Sequence, residues 1–211
     1  MTRKRFNYIL LIICLLFNSS LIAQTDKPYQ VLERVKKNIS SKNIHYEFII
    51  ENNLPEINNL IKGSLYLSIE KYVLLTEEIE QIFDGDKTYT IIHENEEIII
   101  DNKENSILSL KPNILFDFID NKYELTMVSS SKNISIIKAE DTNNPSQYYE
   151  ISINLNNLSI ISIKQESFEV GYFNLFKTIS YSHNISLPLS FFKFDKDKYK
   201  DYYLSILDWR F

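Results

Sequence analysis

The spacing of apolar residues changes near residue 43 of this chain. In the segment 26–42, "DKPYQVLERVKKNISSK", apolar residues recur every three or four positions, which predicts a helix with one buried side. Asp26 is the expected cap of this helix, and Pro28 falls in its first turn. The apolar positions are Val31, Leu32, Val35 and Ile39. Such a one-sided helix must lie on an apolar surface.

From residue 44 onward the period becomes two, which predicts strands with one apolar and one polar face. In "NIHYEFIIEN" the apolar face carries Ile44, Tyr46, Phe48 and Ile50. His45 lies on the opposite face, where we expect it to be exposed to solvent. "GSLYLSIEKYVLL" repeats the alternation, with Leu65 and Leu67 on one face. Similar runs follow in "SQYYEISINL", "LSIISIKQESF" and "FKTISYSHNI".

Short polar turns separate these strands. They are Asp84-Gly85, Glu94-Asn95, Asn143-Asn144-Pro145 and Asn156-Asn157. The pattern predicts a mainly β (α+β) chain built as an antiparallel meander, either a large curved sheet or an unclosed barrel. A short second helix is expected after Pro112 in "KPNILFDFIDNKY", with Leu115, Phe118 and Ile119 on one side. Since no linker or repeat divides the chain, residues 24–211 are expected to form one domain.

The first 23 residues have the layout of a secretory signal peptide. Basic residues at the start precede an apolar run from Tyr8 to Phe17, and Ala23 is the expected cleavage site. Removing the peptide changes the formal net charge from −5 to −8, because it carries three basic residues and no acidic ones. An acidic exported domain is a poor candidate for binding nucleic acid or anionic lipid. The only cysteine, Cys14, lies within the peptide, so we expect neither a disulfide nor a lipid anchor.

An acidic stretch at 82–100, "IFDGDKTYTIIHENEEIII", raises the question of a metal or catalytic site. A calcium loop alternates its oxygen ligands before a glycine, whereas here Gly85 stands between Asp84 and Asp86. Asp-Gly between apolar strands is instead a favoured hairpin turn, because glycine accepts the positive φ that such turns require. We therefore interpret the stretch as scaffold.

Other catalytic patterns are missing from the sequence. The histidines, His45, His93 and His183, do not have the spacing of zinc ligands. Adjacent carboxylates such as Glu96 and Glu97 point to opposite faces of a strand. The chain has no nucleophile elbow, P-loop or dinucleotide fingerprint, and three glycines in all. We expect no enzymatic activity, no cofactor and no metal.

Apolar faces on many strands, beside one-sided helices, fit either a filled core or a lined apolar cavity. Periodicity alone does not separate these two possibilities. The order of the motifs adds to this picture. The helix "VLERVKKNI" is followed by "HYEFII", "GSLYLSIEKYVLL", "FDGDKTYTIIHENEEIII" and the closing "FKFDKDKYKDYYLSILDWRF". In this order and spacing, over most of the mature chain, they resemble the LolA-like periplasmic lipoprotein carriers, particularly those of Bacteroidetes type.

The resemblance implies an unclosed antiparallel barrel with an N-terminal helix and a short lid helix over an apolar cavity. It also implies a periplasmic carrier that receives acylated lipoproteins from an inner-membrane ABC transporter and delivers them to the outer membrane, where a dedicated acceptor is a further candidate partner. The carrier is expected to be a monomer. The implied cavity and lid residues are Val31, Leu32, Val35, Ile39, Tyr46, Phe48, Leu65, Leu67, Leu74, Leu115, Phe118 and Ile119.

Two departures from the family pattern concern the lid and the second hairpin. Where the family has Arg-Pro, whose arginine holds the empty lid closed, this chain has Ile69 and Glu70. The family tryptophan after D-G-K-T corresponds to Tyr89, and Asp86 displaces the lysine. These departures predict a different control of the lid.

Other functions compete with that of a carrier. The same fold serves as a periplasmic sensor module that binds an anti-sigma factor, although this chain is short for the extra domain usual there. An outer-membrane lipoprotein acceptor would need a lipidated N-terminal cysteine, which the mature sequence lacks. An enzyme that uses Glu96 or Glu97 is the most distant alternative.

Overall fold

The computed structural model describes residues 27–53, 60–101, 122–144, 147–167 and 173–207. The helix predicted near the N-terminus is confirmed as α1, Pro28–Ser40. Its cap position is Lys27 and not Asp26, since the residue before a proline is held extended; Lys27 has φ −63° and ψ 144°. The Gln30 side-chain oxygen accepts the Lys27 backbone N–H at 3.3 Å. The predicted second helix and the signal peptide lie outside the described residues.

Within these described ranges, twelve strands form one sheet. The first six are β1 Ile44–Asn52, β2 Leu60–Ser68, β3 Lys71–Thr76, β4 Ile79–Phe83, β5 Thr88–Ile92 and β6 Glu97–Asp101. The next five are β7 Tyr123–Ser130, β8 Ile134–Asp141, β9 Gln147–Asn154, β10 Ser159–Ser167 and β11 Phe173–His183. A 3₁₀ turn, Leu189–Phe192, precedes β12, Tyr203–Leu207.

The strand order is β12-β6-β5-β4-β3-β2-β1-β11-β10-β9-β8-β7. Two meanders, β1 to β6 and β7 to β11, are joined where β1 pairs with β11. The prediction of an unclosed antiparallel sheet is confirmed, with β7 and β12 as its edges. One strand departs from it, because β12 runs parallel to β6. The long connection from β11 returns β12 to the far edge, and a long connection does not impose the antiparallel direction that a tight hairpin does.

The sheet curves around α1. The helix contacts both β2 and β7, which are six positions apart in the strand order. In a flat sheet these strands would be separated by about 29 Å, at roughly 4.8 Å per strand. A 13-residue helix is only about 20 Å long. The sheet must therefore bend, and α1 lies on its concave side, which we call the inner face.

The outer face is buried along β2 to β6 by residues 187–202, which we call the C-terminal strap. Val73, Ile82, Ile91 and Ile98 on the strands form a second apolar cluster with Phe192 and Tyr199 of the strap. The expectation that His45 is solvent-exposed is wrong. Its ring stacks on Tyr66 at 4.2 Å between centroids, and Tyr66 in turn meets Phe191 of the strap edge-on. The strap covers a face that alternation marks as polar.

Candidate apolar ligand-binding face

The inner face collects the predicted cavity residues that fall within the described ranges. One buried cluster contains Val31, Leu32, Val35, Ile39, Tyr46, Phe48, Leu65, Leu67 and Leu74. The predicted lid positions Leu115, Phe118 and Ile119 lie outside the described residues. The register explains why the strand residues meet, since Tyr46 pairs with Leu65 and Leu65 with Leu74. Their role as ligand contacts stays a prediction.

The cluster extends beyond the predicted positions to the second meander. Ile137, Ile151, Ile153, Ile163 and Phe176 contribute to it from β8 to β11. Alternation in "SQYYEISINL" and its neighbours indicated these faces, but the sequence did not show that they share one space with α1. The pairing of β1 with β11 brings the two sets together. Rings of Phe48 and Phe176 accordingly pack at 5.2 Å between centroids.

α1 occupies the concave space. Val31 and Val35 are 0% and 1% exposed, because both are enclosed between the helix and the sheet. The helix therefore fills the volume that an apolar ligand would need, and a ligand on the inner face would have to displace it.

One polar contact fastens the C-terminal half of α1. Asn38 is buried, and its Nδ2 donates to the Tyr181 hydroxyl oxygen at 3.1 Å and to the Asn157 carbonyl at 3.3 Å. Tyr181 belongs to β11, and Asn157 lies in the turn between β9 and β10. Sequence reasoning missed Asn38, although a polar residue one position before Ile39 on a helix with a broad apolar side was the available signal.

A buried tyrosine lies at the centre of the cluster. The Ile160 backbone N–H donates to the Tyr46 hydroxyl oxygen at 3.4 Å. Burial raises the pKa of Tyr46 well above its ordinary value, so its phenol stays neutral. The ring of Tyr181 packs beside it at 5.0 Å between centroids. The polar groups that these two tyrosines bring to the centre are thus uncharged, which suits an apolar ligand.

Towards β4 to β6 the inner face becomes polar. Gln81, Thr88, Thr90 and Asp101 are all buried there. Tyr72 Oη donates to Gln81 Oε1 at 3.1 Å, and Gln81 Nε2 donates to Thr90 Oγ1 at 2.9 Å. Thr88 and Thr90 lie within the stretch interpreted as scaffold, and Gln81 and Asp101 flank it; sequence reasoning singled out none of them. The alternation of Thr88 and Thr90 with Tyr89 and Ile91 was the available signal.

The family latch position lies away from the inner face. Ile69 and Glu70 form the tight turn between β2 and β3, where Glu70 has φ 55° and Ile69 is 62% exposed. On α1, Asn38 is the buried polar residue among those that the structure describes.

A cleft opens on the outer face between the strap and the sheet. It has a volume of about 310 Å³, and its walls are Val73, Leu75, Glu80, Ile82, Phe191, Lys193, Asp195, Lys198 and Tyr199. Glu80 accepts hydrogen bonds from the Tyr199 hydroxyl and from Lys198 Nζ, the latter at 3.0 Å. Burial, together with the hydrogen bond to Glu80, raises the pKa of Tyr199 to about 12.

Within the described ranges, no group of three His, Cys, Asp or Glu side chains is placed to hold a metal ion. In the same ranges, no helix combines the length and the apolarity required to cross a bilayer.

Neither a protein-family model nor a curated protein sequence matches the chain. Solved structures share its fold at very low sequence identity. An uncharacterized conserved protein from Thermus thermophilus superposes with a TM-score of 0.61 at 8% identity, over 84% of this chain and 97% of that one. A chain of the Pseudomonas aeruginosa MucA/MucB complex gives a TM-score of 0.56 at 11% identity, over 81% and 62%. This chain thus spans less than two thirds of that relative.

A LolA superfamily protein from Nitrosomonas europaea matches with a TM-score of 0.45 at 10% identity, over 79% of this chain and 97% of that one. The two structures with TM-scores of 0.61 and 0.56 share the fold of this chain, which in the described residues is an unclosed β-sheet curved around one helix.

Proposed function

We propose that this protein is a periplasmic, non-enzymatic carrier that shields the acyl chains of lipoproteins between an inner-membrane ABC transporter and the outer membrane. The observation that carries the proposal is the inner face, where an apolar sheet is covered by a helix with one apolar side. Residues 1–23, as a cleaved signal peptide, would deliver the chain to that compartment.

The energetic need for such a carrier is large. Each methylene of an acyl chain costs about 0.8 kcal/mol when it is exposed to water. Two or three long chains therefore cannot cross an aqueous compartment unshielded. The apolar residues under α1 could cover them, provided that the helix moves and the ligand replaces its contacts.

Displacement of α1 is energetically accessible because its buried attachment is apolar apart from Asn38. When acyl chains replace Val31, Leu32 and Val35 on the sheet, apolar contacts are exchanged for apolar contacts. The proposal therefore requires the apolar side of the displaced helix to pack on the acyl chains, because exposing Val31, Leu32 and Val35 to water would offset the gain.

The test is native mass spectrometry of the mature protein, incubated with a purified triacylated lipoprotein. We expect a one-to-one complex that is lost in Leu67→Glu, because a carboxylate at this buried inner position opposes apolar ligands. Ile69→Glu is the matched control, since Ile69 is two residues away and 62% exposed. Loss of binding in both variants, or retention in a folded Leu67→Glu protein, would contradict the proposed site.

A periplasmic sensor module that binds a protein partner is the second candidate. Two observations favour it: the likeness in fold to a chain of the MucA/MucB complex, and the cleft beside the strap, which is separate from the inner face. Here Phe191→Asp at the cleft would abolish binding of an anti-sigma-type protein partner, whereas Leu67→Glu would not. The carrier proposal predicts the opposite pattern for lipoprotein binding.

A further inference from the structure

The two edges of the sheet differ in how well they are protected against pairing with another strand. On β7, α1 packs against the strand, Glu124 adds a charge, and the ladder is irregular between Met127 and Ser129. Such features hinder the addition of a strand. Among the described residues, β12 shows none of them: its sequence, "YLSIL", is uncharged and its register with β6 is continuous.

β12 also exposes apolar side chains. Tyr203 is 72% and Ile206 is 64% exposed, and Leu204 is 43% exposed. Exposed apolar residues are ordinary when scattered, but here they follow one another on a single edge strand. A regular, uncharged and apolar edge is a template for pairing.

The backbone directions of β12 show which of its N–H and C=O groups are available to an incoming strand. The Tyr203 N–H donates to the Glu96 carbonyl at 2.7 Å, so the Tyr203 backbone points towards β6. Because direction alternates along a strand, Ser205 also points towards β6, whereas Leu204 and Ile206 direct their N–H and C=O groups outwards. An incoming strand would therefore bond to Leu204 and Ile206.

The pattern of β12 is complementary to itself. In an antiparallel pair centred on Ser205, Leu204 of one copy lies opposite Ile206 of the other, and Ser205 lies opposite its own equivalent. Leu204 and Ile206 are then the hydrogen-bonded pairs, each exchanging two N–H···O bonds, in agreement with their outward direction. No charged residue of either strand faces a like charge in this register.

From these observations we infer that β12 is an interaction surface for a second copy of this chain, paired antiparallel about a twofold axis at Ser205. The interface is isologous, since the same strand serves both copies. It is also small, because one strand of five residues contributes to each side. Association is thus expected to be weak and reversible, and it replaces the monomer that the family resemblance implies.

Sedimentation velocity of the mature protein over a wide concentration range tests the inference. We expect a reversible dimer in the native protein. In Ile206→Lys, which adds a charge, and in Ile206→Pro, which removes an outward N–H, the dissociation constant should rise by at least about tenfold. Ile179→Lys is the matched control, because Ile179 is 60% exposed but does not belong to β12.

A cross-link gives a second readout that does not depend on these variants folding. Opposed residues of a non-hydrogen-bonded pair have Cα atoms about 4.5 Å apart, within disulfide range. Ser205→Cys should therefore form a disulfide dimer with copper phenanthroline as oxidant, whereas Ser182→Cys, an exposed residue on β11, should not.

A native protein that stays monomeric throughout, without a selective Ser205→Cys cross-link, would overturn self-pairing. So would a dimer that Ile206→Lys leaves unchanged. If the protein is monomeric but Ile206→Lys loses binding of the purified lipoprotein or its transporter, β12 serves that partner and the inference is wrong. The association state is measured without lipoprotein, so its result leaves the Leu67→Glu test of the carrier proposal unaffected.

Discussion

Asn38 on α1 donates a hydrogen bond to the hydroxyl oxygen of Tyr181 on β11, at 3.1 Å, across the interface between helix and sheet. The same amide group reaches the Asn157 carbonyl at 3.3 Å. These two hydrogen bonds connect the C-terminal end of α1 to the sheet from a buried position.

Asn38→Ala should loosen α1 without unfolding the sheet. The loss of two hydrogen bonds, with Tyr181 left at a partly apolar interface, should lower the free energy of unfolding by about 1–2 kcal/mol in urea denaturation. If the carrier proposal holds, binding of an acylated ligand should become faster, because the helix is released more easily. Lys37→Ala, an exposed neighbour on the same helix, should change neither quantity. Unchanged stability in Asn38→Ala would show that the Asn38 hydrogen bonds do not hold α1 on the sheet.

Gly63 on β2 is required by close packing. A Cβ at this position would lie 2.6 Å from the Leu75 carbonyl oxygen and 2.6 Å from Cζ of Phe48, which pairs with Gly63 in register. The first of these atoms is backbone and the second is the tip of a buried ring, so neither yields cheaply. Gly63→Ala should therefore destabilise the protein by roughly 1–3 kcal/mol, the usual range for overpacking.

The measurement is the midpoint temperature of thermal unfolding for Gly63→Ala, compared with that for the control variant Ser64→Ala. Ser64 is the next residue on β2, and its replacement by alanine removes one hydroxyl from the opposite face without adding volume. A Gly63→Ala variant as stable as Ser64→Ala would show that Phe48 moves aside at little cost.

Gln81 connects two polar side chains on the inner face. Its Oε1 accepts a hydrogen bond from Tyr72 Oη, and its Nε2 donates one to Thr90 Oγ1. Gln81→Glu keeps the shape and makes this link sensitive to pH. At a site 1% exposed, burial should raise the pKa of the new carboxyl, so the variant is stable below the unfolded pKa and loses stability as pH rises through the folded value. We expect a deficit of about 2–4 kcal/mol at neutral pH that largely disappears near pH ~4.

The measurement is the difference in unfolding free energy between Gln81→Glu and the native protein at several pH values. Gln81→Leu is the matched control, because it removes both hydrogen bonds but has no charge. Its deficit should not depend on pH. A pH-independent deficit in Gln81→Glu would mean that water or another group already reaches this side chain.

Sequence periodicity predicted the parts of the fold in which one face is apolar. The helical spacing of Val31, Leu32, Val35 and Ile39 identified the buried side of α1, and alternation identified the inward residues of β1 and β2. The hairpin at Asp84-Gly85 was also predicted, and Gly85 has the positive φ, 99°, that the turn requires. These features depend on residues that are close together in the chain, so the local sequence is enough to predict them.

Strands buried on both faces follow a different rule. On β3 the consecutive residues Tyr72, Val73 and Leu74 are all buried, because α1 and the apolar cluster cover one face while the strap covers the other. The run "YVLL" was the available signal, since continuous apolar strands are typical of double-sided burial. The parallel direction of β12 and the position of the strap could not be predicted, because both depend on contacts between residues more than a hundred positions apart.

The hydrogen bond from Tyr199 to Glu80 ties the strap to the outer face, and it should make stability depend on alkaline pH. The pKa of Tyr199 is raised to about 12 from an ordinary value of 10. A raised pKa contributes stability that is present below the unfolded value and lost as pH rises through the folded one. The window is thus pH 10 to 12, and the contribution is roughly 1–2 kcal/mol after allowance for solvent screening.

Tyr199→Phe removes the titrating group while retaining the ring that stacks on Phe194. Urea denaturation at pH ~8 and at pH ~11 should show the native protein losing its advantage over Tyr199→Phe at the higher pH. Lysines and other tyrosines titrate in the same window, but they are common to both proteins and cancel in the difference. Because Glu80 is the acceptor, Glu80→Gln should reduce the pH dependence as well, since an uncharged acceptor no longer opposes ionisation of the phenol. A constant difference between native protein and Tyr199→Phe across this range would show that the strap is held by its aromatic contacts alone.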